Sequence, residues 1–268
     1  MTTPLTGLYV PGDRPDRFEK AVASGADLVV FDLEDAVSPV RKAMARTETV
    51  GWLRAHAHEC APVLQVRINA GDDEDLEALA GVPETVEVRI PKVTGPADLA
   101  AVRARVGSRP LTALIESAAG VVALQAIAGY GGVNRLALGE ADLVAELGPA
   151  GPVVDHARIA LVFAAAAVGL EPPMLSVYPR IDDDEGLTAD TRDGAAMGFG
   201  GRMAVHPRQL GPIRDAFRPS DADIAWAGDV LAATAEGGVH RTTAGDMVDD
   251  AMRRRALRIL SQDAHRRA

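Results

Sequence analysis

Short runs of apolar, β-favouring residues recur along the chain, and most are followed by a stretch in which apolar positions return at helical spacing. Eight such runs stand out: residues 7–11, 27–32, 63–68, 86–91, 111–115, 135–138, 174–178 and 202–205. This alternation is the pattern of parallel βα units. Eight units close a (β/α)8 TIM barrel, whereas a doubly wound sheet of this length more often shows five or six strands and a GxGxxG after the first. No such glycine pattern follows residues 7–11. Residues 209–217 read as the last barrel helix, and Pro219-Ser220-Asp221 opens another helix running to about Ala235. A Gly237-Gly238 turn and a tail with a basic helix (Arg253, Arg254, Arg255, Arg258) exceed what a barrel needs. The expected organisation is an α/β chain with a barrel over residues 1–218 and a C-terminal helical extension over residues 219–268.

The residues just beyond the apolar runs are polar: Asp13 and Arg14, Glu34 and Asp35, Arg67 and Asn69, Lys92, Glu116, Glu140 and Asp142, Arg180, and His206. In a (β/α)8 barrel all strand ends open on one face, so these distant positions converge there. Glu116 and Asp142, on neighbouring strands, suit Mg²⁺, which takes a few carboxylates and leaves room for water and substrate oxygens. Set against that, strand-end acids also serve as helix caps, and Asp142 could cap a helix beginning near Leu143. Arg67 offers a planar fork for a carboxylate or oxyanion; its structural alternative is an ion pair with Glu34 or Glu87. Asp32, Glu34 and Asp35 form an acid cluster suited to supporting a metal's waters or Arg67, with helix capping by Asp35 as the plainer role. Lys92 raises the possibility of a Schiff-base aldolase, but the nearby acids favour a protonated, ion-paired lysine. His206, a lone histidine before proline, reads as a packing or hydrogen-bonding residue before it reads as a base.

Composition narrows the classes. At 268 residues and 47% apolar content the chain supports one large core. A net charge of −10 points away from nucleic acid and from acidic membrane surfaces, and no apolar stretch has membrane-spanning length. A single cysteine, Cys60, excludes an intramolecular disulfide framework and fits a reducing cytoplasm.

Taken in order, GLYVPGDRPDRFEKA, DLVVFDLEDAVSPVRKAMAR, VRIN, IPKV, LIESAAGV, LGEADLVAELG, VYPRIDDDEGL, GFGGRMAVHPRQL and GDMVDDAMRRRA form a series that resembles the citrate lyase β-subunit-like family of citryl-, malyl-, citramalyl- and other β-hydroxyacyl-CoA lyases. The resemblance runs from about Leu8 to about Ile259. It implies a homotrimer or hexamer of barrels acting on an acyl-CoA and an α-keto acid as small-molecule substrates, with Mg²⁺ held by Glu116 and Asp142 and the keto acid contacting Arg67. It implies also that Glu34 and Asp35 line the metal's water shell, that Asp249 is carried into the neighbouring subunit's site as general acid/base, and that Arg14 and Lys42 face the phosphates of coenzyme A. The sequence departs from the family at two places. Gly139-Glu140-Ala141-Asp142 stands where many relatives read Gly-Ala-Glu-Asp, and Ala251 stands where many have proline. Alternatives within the same chemistry are the β-subunit of a multi-subunit citrate lyase acting on an acyl-carrier-protein thioester and a metal-dependent aldolase of free hydroxy acids. A barrel kept only as a binding module is the non-enzymatic alternative.

Overall fold

The computed structural model describes residues 4–148, 151–234, 240–241 and 247–264. All eight expected strands form: β1 (Thr6–Pro11), β2 (Leu28–Asp32), β3 (Val63–Arg67), β4 (Glu87–Ile90), β5 (Leu111–Ile115), β6 (Val133–Leu138), β7 (Met174–Leu175) and β8 (Gly201–Ala204). Each pairs in parallel with its sequence neighbour, and β8 pairs back to β1, with Gly7 beside Met203, so the barrel is closed. Every residue of β2, β4 and β5 is buried, because parallel strands are covered by helices on one side and by the barrel interior on the other. β7 is shorter than the apolar run suggests. Its ladder is reduced to Met174 and Leu175, and at Ser176 the side-chain hydroxyl, rather than the backbone ladder, donates to the carbonyl of Leu138.

Outside β2, the helix Lys42–His56 carries Trp52 onto Phe18 and Phe31, with ring centroids 6.0 and 5.3 Å away. Inside, the lower barrel is filled by Leu28, Val30, Met174 and Met203 and by a buried polar net. There the Gln65 amide donates to Glu87 and Thr112, and Asn134 donates to Glu87.

The chain divides into two compact units, Met1–Ala216 and Phe217–Ala268. The second is built on the helices Asp221–Ala233 and Asp250–Ala264, whose shared core is Ala227, Val230, Val248 and Ala256. Ser220 caps the first of these helices, accepting from the Asp223 amide, and Arg255 lies over the Trp226 ring at 4.7 Å. The expected Gly237-Gly238 turn falls outside the described residues. Among the described residues no helix is long and apolar enough to cross a membrane.

Candidate active site

The strand ends of the barrel open on a cavity of about 590 Å³. Asp32, Asp35, Arg67, Glu116, Gly139, Glu140 and Asp142 line it together with apolar side chains of β5 to β8. This is the face to which barrel geometry brings loop and strand-end residues.

Arg67 is the most heavily braced group there. Its Nε and Nη2 donate to the two oxygens of Asp32 at 2.7 and 2.6 Å, and its Nη1 donates to Asp35 Oδ2 at 3.1 Å. Glu34 Oε2 is 3.0 Å from the same Nη1. Glu87, the other acid in reach by sequence, pairs instead with Arg135. Burial works against the Arg67 charge, but the Asp32 bonds overcome it and hold its pKa above the ordinary value. Asp32 itself is locked by amides, accepting from Glu34 N at 2.9 Å and Ala36 N at 3.1 Å. Glu34 is less settled. Both its oxygens are buried and lie in charge-pairing range of Arg67 and Lys92, yet neither is aligned for a hydrogen bond. Burial raises its pKa against the charge of Arg67, and Asp35 adds to the rise.

Glu116 follows β5 and is 5% exposed. Its Oε1 accepts from the Lys92 backbone amide at 2.6 Å. Lys92 delivers that amide from φ 55°, the one positive φ outside glycine among the described residues. Its ammonium turns to Glu34, 3.3 Å away, and that acid beside it raises its pKa. An acid-paired lysine with a raised pKa is a poorer Schiff-base nucleophile than a desolvated, unpaired one. The other side of Glu116 rests against Gly139, where an added Cβ would meet Glu116 Cβ and Oε2 at 2.6 Å. Burial first, then the charge of Glu34 and that of Asp142, push the Glu116 carboxyl up to about 7.

Asp142 sits in the first turn of the helix Glu140–Leu147, which begins three residues earlier than the sequence suggests, so Gly139 rather than Asp142 holds the cap position. Asp142 is exposed to the cavity and makes no hydrogen bond or ion pair among the described residues. The displaced acid Glu140 is committed elsewhere, accepting from Arg158 Nε at 2.9 Å and Nη2 at 2.7 Å. Glu116 and Asp142 thus face the cavity as oxygen donors that repel one another, and among the described residues neither is in an ion pair. That donor set fits Mg²⁺, which prefers oxygen ligands and keeps positions for water and substrate. Among the described residues no three His, Cys, Asp or Glu side chains form a closed cage, so the remaining ligands to such an ion would come from solvent or substrate.

The other expected residues are placed differently. Arg14 lies past β1 on the surface, paired with Asp16 at 2.8 Å. The Lys42 ammonium is consumed by three oxygens, donating to the carbonyls of Leu33 and Glu34 and to Asn69 Oδ1. It holds the loop that carries Glu34 and has no N–H left for a phosphate. Asp249 belongs to the second unit, where its Oδ1 accepts from the Met252 amide at the start of the final helix. His206 caps a short turn, its Nδ1 accepting from Arg208 N. Sequence reasoning passed over Gly139, whose signal is a glycine directly at a strand end, and Tyr9 and Arg89, which also line the cavity.

Over residues 5–207 the sequence matches the HpcH/HpaI aldolase/citrate lyase family. The chain belongs to that family. Among its relatives is a citrate lyase subunit beta-like protein of Mycobacterium tuberculosis, 38% identical over 255 residues, with 90% of this chain and 89% of that protein covered. A (3S)-malyl-CoA thioesterase of Cereibacter sphaeroides is 36% identical over 247 residues, covering 87% and 84%. Among solved structures, protein CitE from M. tuberculosis in complex with magnesium, acetoacetate and coenzyme A superposes with a TM-score of 0.82 at 35% identity, over 97% of this chain and 98% of that one. As a member of the HpcH/HpaI aldolase/citrate lyase family, the chain is an enzyme.

Proposed function

We propose that this chain is a Mg²⁺-dependent carbon–carbon lyase that cleaves a β-hydroxyacyl-CoA of the malyl, citramalyl or citryl type into an acyl-CoA and an α-keto acid. The observation that carries the reading is the pairing of two uncompensated carboxylates, Glu116 and Asp142, with a fixed guanidinium, Arg67, around one cavity. Glu116 and Asp142 would hold the ion, which when bound supplies electrostatic stabilisation to negative charge developing on substrate oxygens. Arg67, immobilised by Asp32, orients the keto-acid portion by charge-assisted hydrogen bonds. Glu34 and Asp35 keep the surroundings of Arg67 and the metal's waters acidic and ordered, and the apolar wall of β5 to β8 excludes bulk water.

Breaking the bond requires the β-hydroxyl proton to leave while the acyl α-carbon gains one. Asp249, carried in from a neighbouring subunit of a homotrimer or hexamer, would act as general acid/base, taking the hydroxyl proton and returning it to the α-carbon. Its Oδ1 is held by the Met252 amide, which leaves Oδ2 for the transfer. Arg14 meets the coenzyme phosphates, and Lys42 contributes by holding the loop of Glu34. The M. tuberculosis structure with magnesium and coenzyme A supports this ligand set for the present chain.

The test is a panel of malyl-, citramalyl- and citryl-CoA, with keto acid and free thiol measured separately. A lyase releases keto acid and no thiol, loses turnover in EDTA and recovers it with Mg²⁺. Unchanged activity in E116Q and D142N sinks the metal site. Thiol release without keto acid favours thioester hydrolysis, a second reading that the 36% identical malyl-CoA thioesterase recommends. Turnover of free hydroxy acids, or a strict need for an acyl-carrier-protein thioester, would move the chain to another substrate class.

A further inference from the structure

The upper part of the cavity is used by Arg67, Glu116 and Asp142; its lower part has no role in that scheme. Leu114, Ala137, Met174 and Met203 line the cavity from within β5 to β8, two positions before Glu116, Gly139, Ser176 and Val205, which follow those strands and also line it. The cavity therefore reaches below the strand ends into the barrel. Tyr9 and Arg89 line it from β1 and β4, with Arg89 in register beside Arg67.

Arg89 is 2% exposed. Its Nε donates to Gln65 Oε1 at 2.9 Å, its Nη1 donates to the Tyr9 hydroxyl at 2.7 Å, and its Nη2 lies 3.8 Å from Met203 Sδ. Every acceptor is neutral, and among the described residues no carboxylate oxygen comes within 4.0 Å of the guanidinium. The other buried arginines are treated differently. Arg135, Arg158 and Arg202 each pair with an acid, and Arg109 is spent on the carbonyls of Leu79, Val82, Pro83 and Val86. A guanidinium stays charged in any protein environment, and a buried charge without a counter-charge is costly. Because Arg89 faces the cavity, a ligand can supply that counter-charge. Tyr9 stands between the two guanidiniums, its ring centroid 5.1 Å from Arg67 Cζ and 5.4 Å from Arg89 Cζ. Arg67 is ringed by acids, and Arg89 has none within ion-pair distance.

We infer that Arg89, braced by Tyr9, is a second carboxylate-binding subsite, so that the keto acid handled here is a dicarboxylate with one carboxylate at Arg67 and the other at Arg89. This rests on the reading that the cavity takes an α-keto acid beside Mg²⁺. Arg67 and Arg89 are register partners on neighbouring strands, which lie about 5 Å apart, of the order of the separation between the carboxylates of a four- or five-carbon keto diacid.

Calorimetric titration in Mg²⁺ compares pyruvate with freshly prepared oxaloacetate and with 2-oxoglutarate. In the wild type at least one diacid binds about tenfold or more tighter than pyruvate, the value of one charge-assisted contact. Arg89→Met lowers the diacid-to-pyruvate affinity ratio by roughly 10- to 100-fold, and Arg89→Lys, which keeps the charge, restores part of it. A general loss of structure would weaken all three ligands together and leave the ratio in place. The inference is overturned if the wild type binds pyruvate as tightly as both diacids, a result that needs no variant, or if R89M leaves the ratio unchanged. Mg²⁺-dependent pyruvate binding that E116Q abolishes, without any diacid preference, overturns this subsite alone. No keto-acid binding dependent on Mg²⁺ and Glu116 overturns the proposed function with it.

Discussion

The carboxyl of Glu116, raised to about 7 by burial and by neighbouring acids, ties the chemistry of the site to its stability. A carboxyl whose folded pKa exceeds its unfolded value favours the folded state most below the unfolded pKa, and that advantage is lost as pH rises through the folded pKa. In metal-free protein, Glu116→Gln removes the penalty. E116Q is therefore expected to melt above the wild type at pH 8, with the gap closing between pH 7 and 5, and added Mg²⁺ should reverse the order at pH 8. Thermal melts in chelator and in Mg²⁺ check both. Arg67 depends on Asp32 in the opposite sense. Asp32→Asn leaves a largely buried guanidinium without its bidentate partner, a loss of about 3 kcal/mol in chemical denaturation, accompanied by weaker keto-acid binding. Glu116, Asp142, Arg67 and the acids around Arg67 could be found from sequence because each stands just past an apolar run. The commitment of Lys42 could not, since two of its three acceptors are backbone carbonyls, and neither could that of Glu140, whose partner Arg158 comes from a helix eighteen residues on.

Strand ends, rather than side chains alone, set the geometry around Glu116. Lys92, two residues past β4, has left-handed backbone, and a glycine, Gly139, directly follows β6, so the carboxylate is gripped by one amide and given space by one missing Cβ. Gly139→Ala is expected to displace Glu116 and weaken Mg²⁺ binding at least about tenfold while costing roughly 1–3 kcal/mol of stability, as overpacking does; calorimetry and denaturant melts separate the two effects. At Lys92 two substitutions divide backbone from ammonium. Lys92→Gly and Lys92→Ala both lose the Glu34 contact, but only glycine relieves the positive φ, so the glycine variant should be more stable than the alanine variant by about 1 kcal/mol. The strand count was legible in the alternation of apolar runs, whereas strand termini were not. β7 retains two residues of an apolar run of five, because apolarity reports burial and the ladder depends on what the neighbouring strand offers.

The whole molecule joins a closed barrel to a second unit with its own small core. If Asp249 acts across a subunit boundary, E116Q and D249N proteins, each inactive alone, should regain up to about a quarter of wild-type activity when unfolded and refolded together, because random assembly reunites intact Glu116 with intact Asp249 at that frequency. No recovery on mixing would confine Asp249 to its own chain. Closure of the barrel follows from eight βα units. The two tryptophans of the chain fall one to each unit, Trp52 against Phe18 and Phe31 and Trp226 beneath Arg255. The protein thus carries its own pair of optical reporters. W226F emission follows the barrel and W52F emission follows the C-terminal unit, so the order in which the halves of the molecule come apart can be watched without attaching a dye.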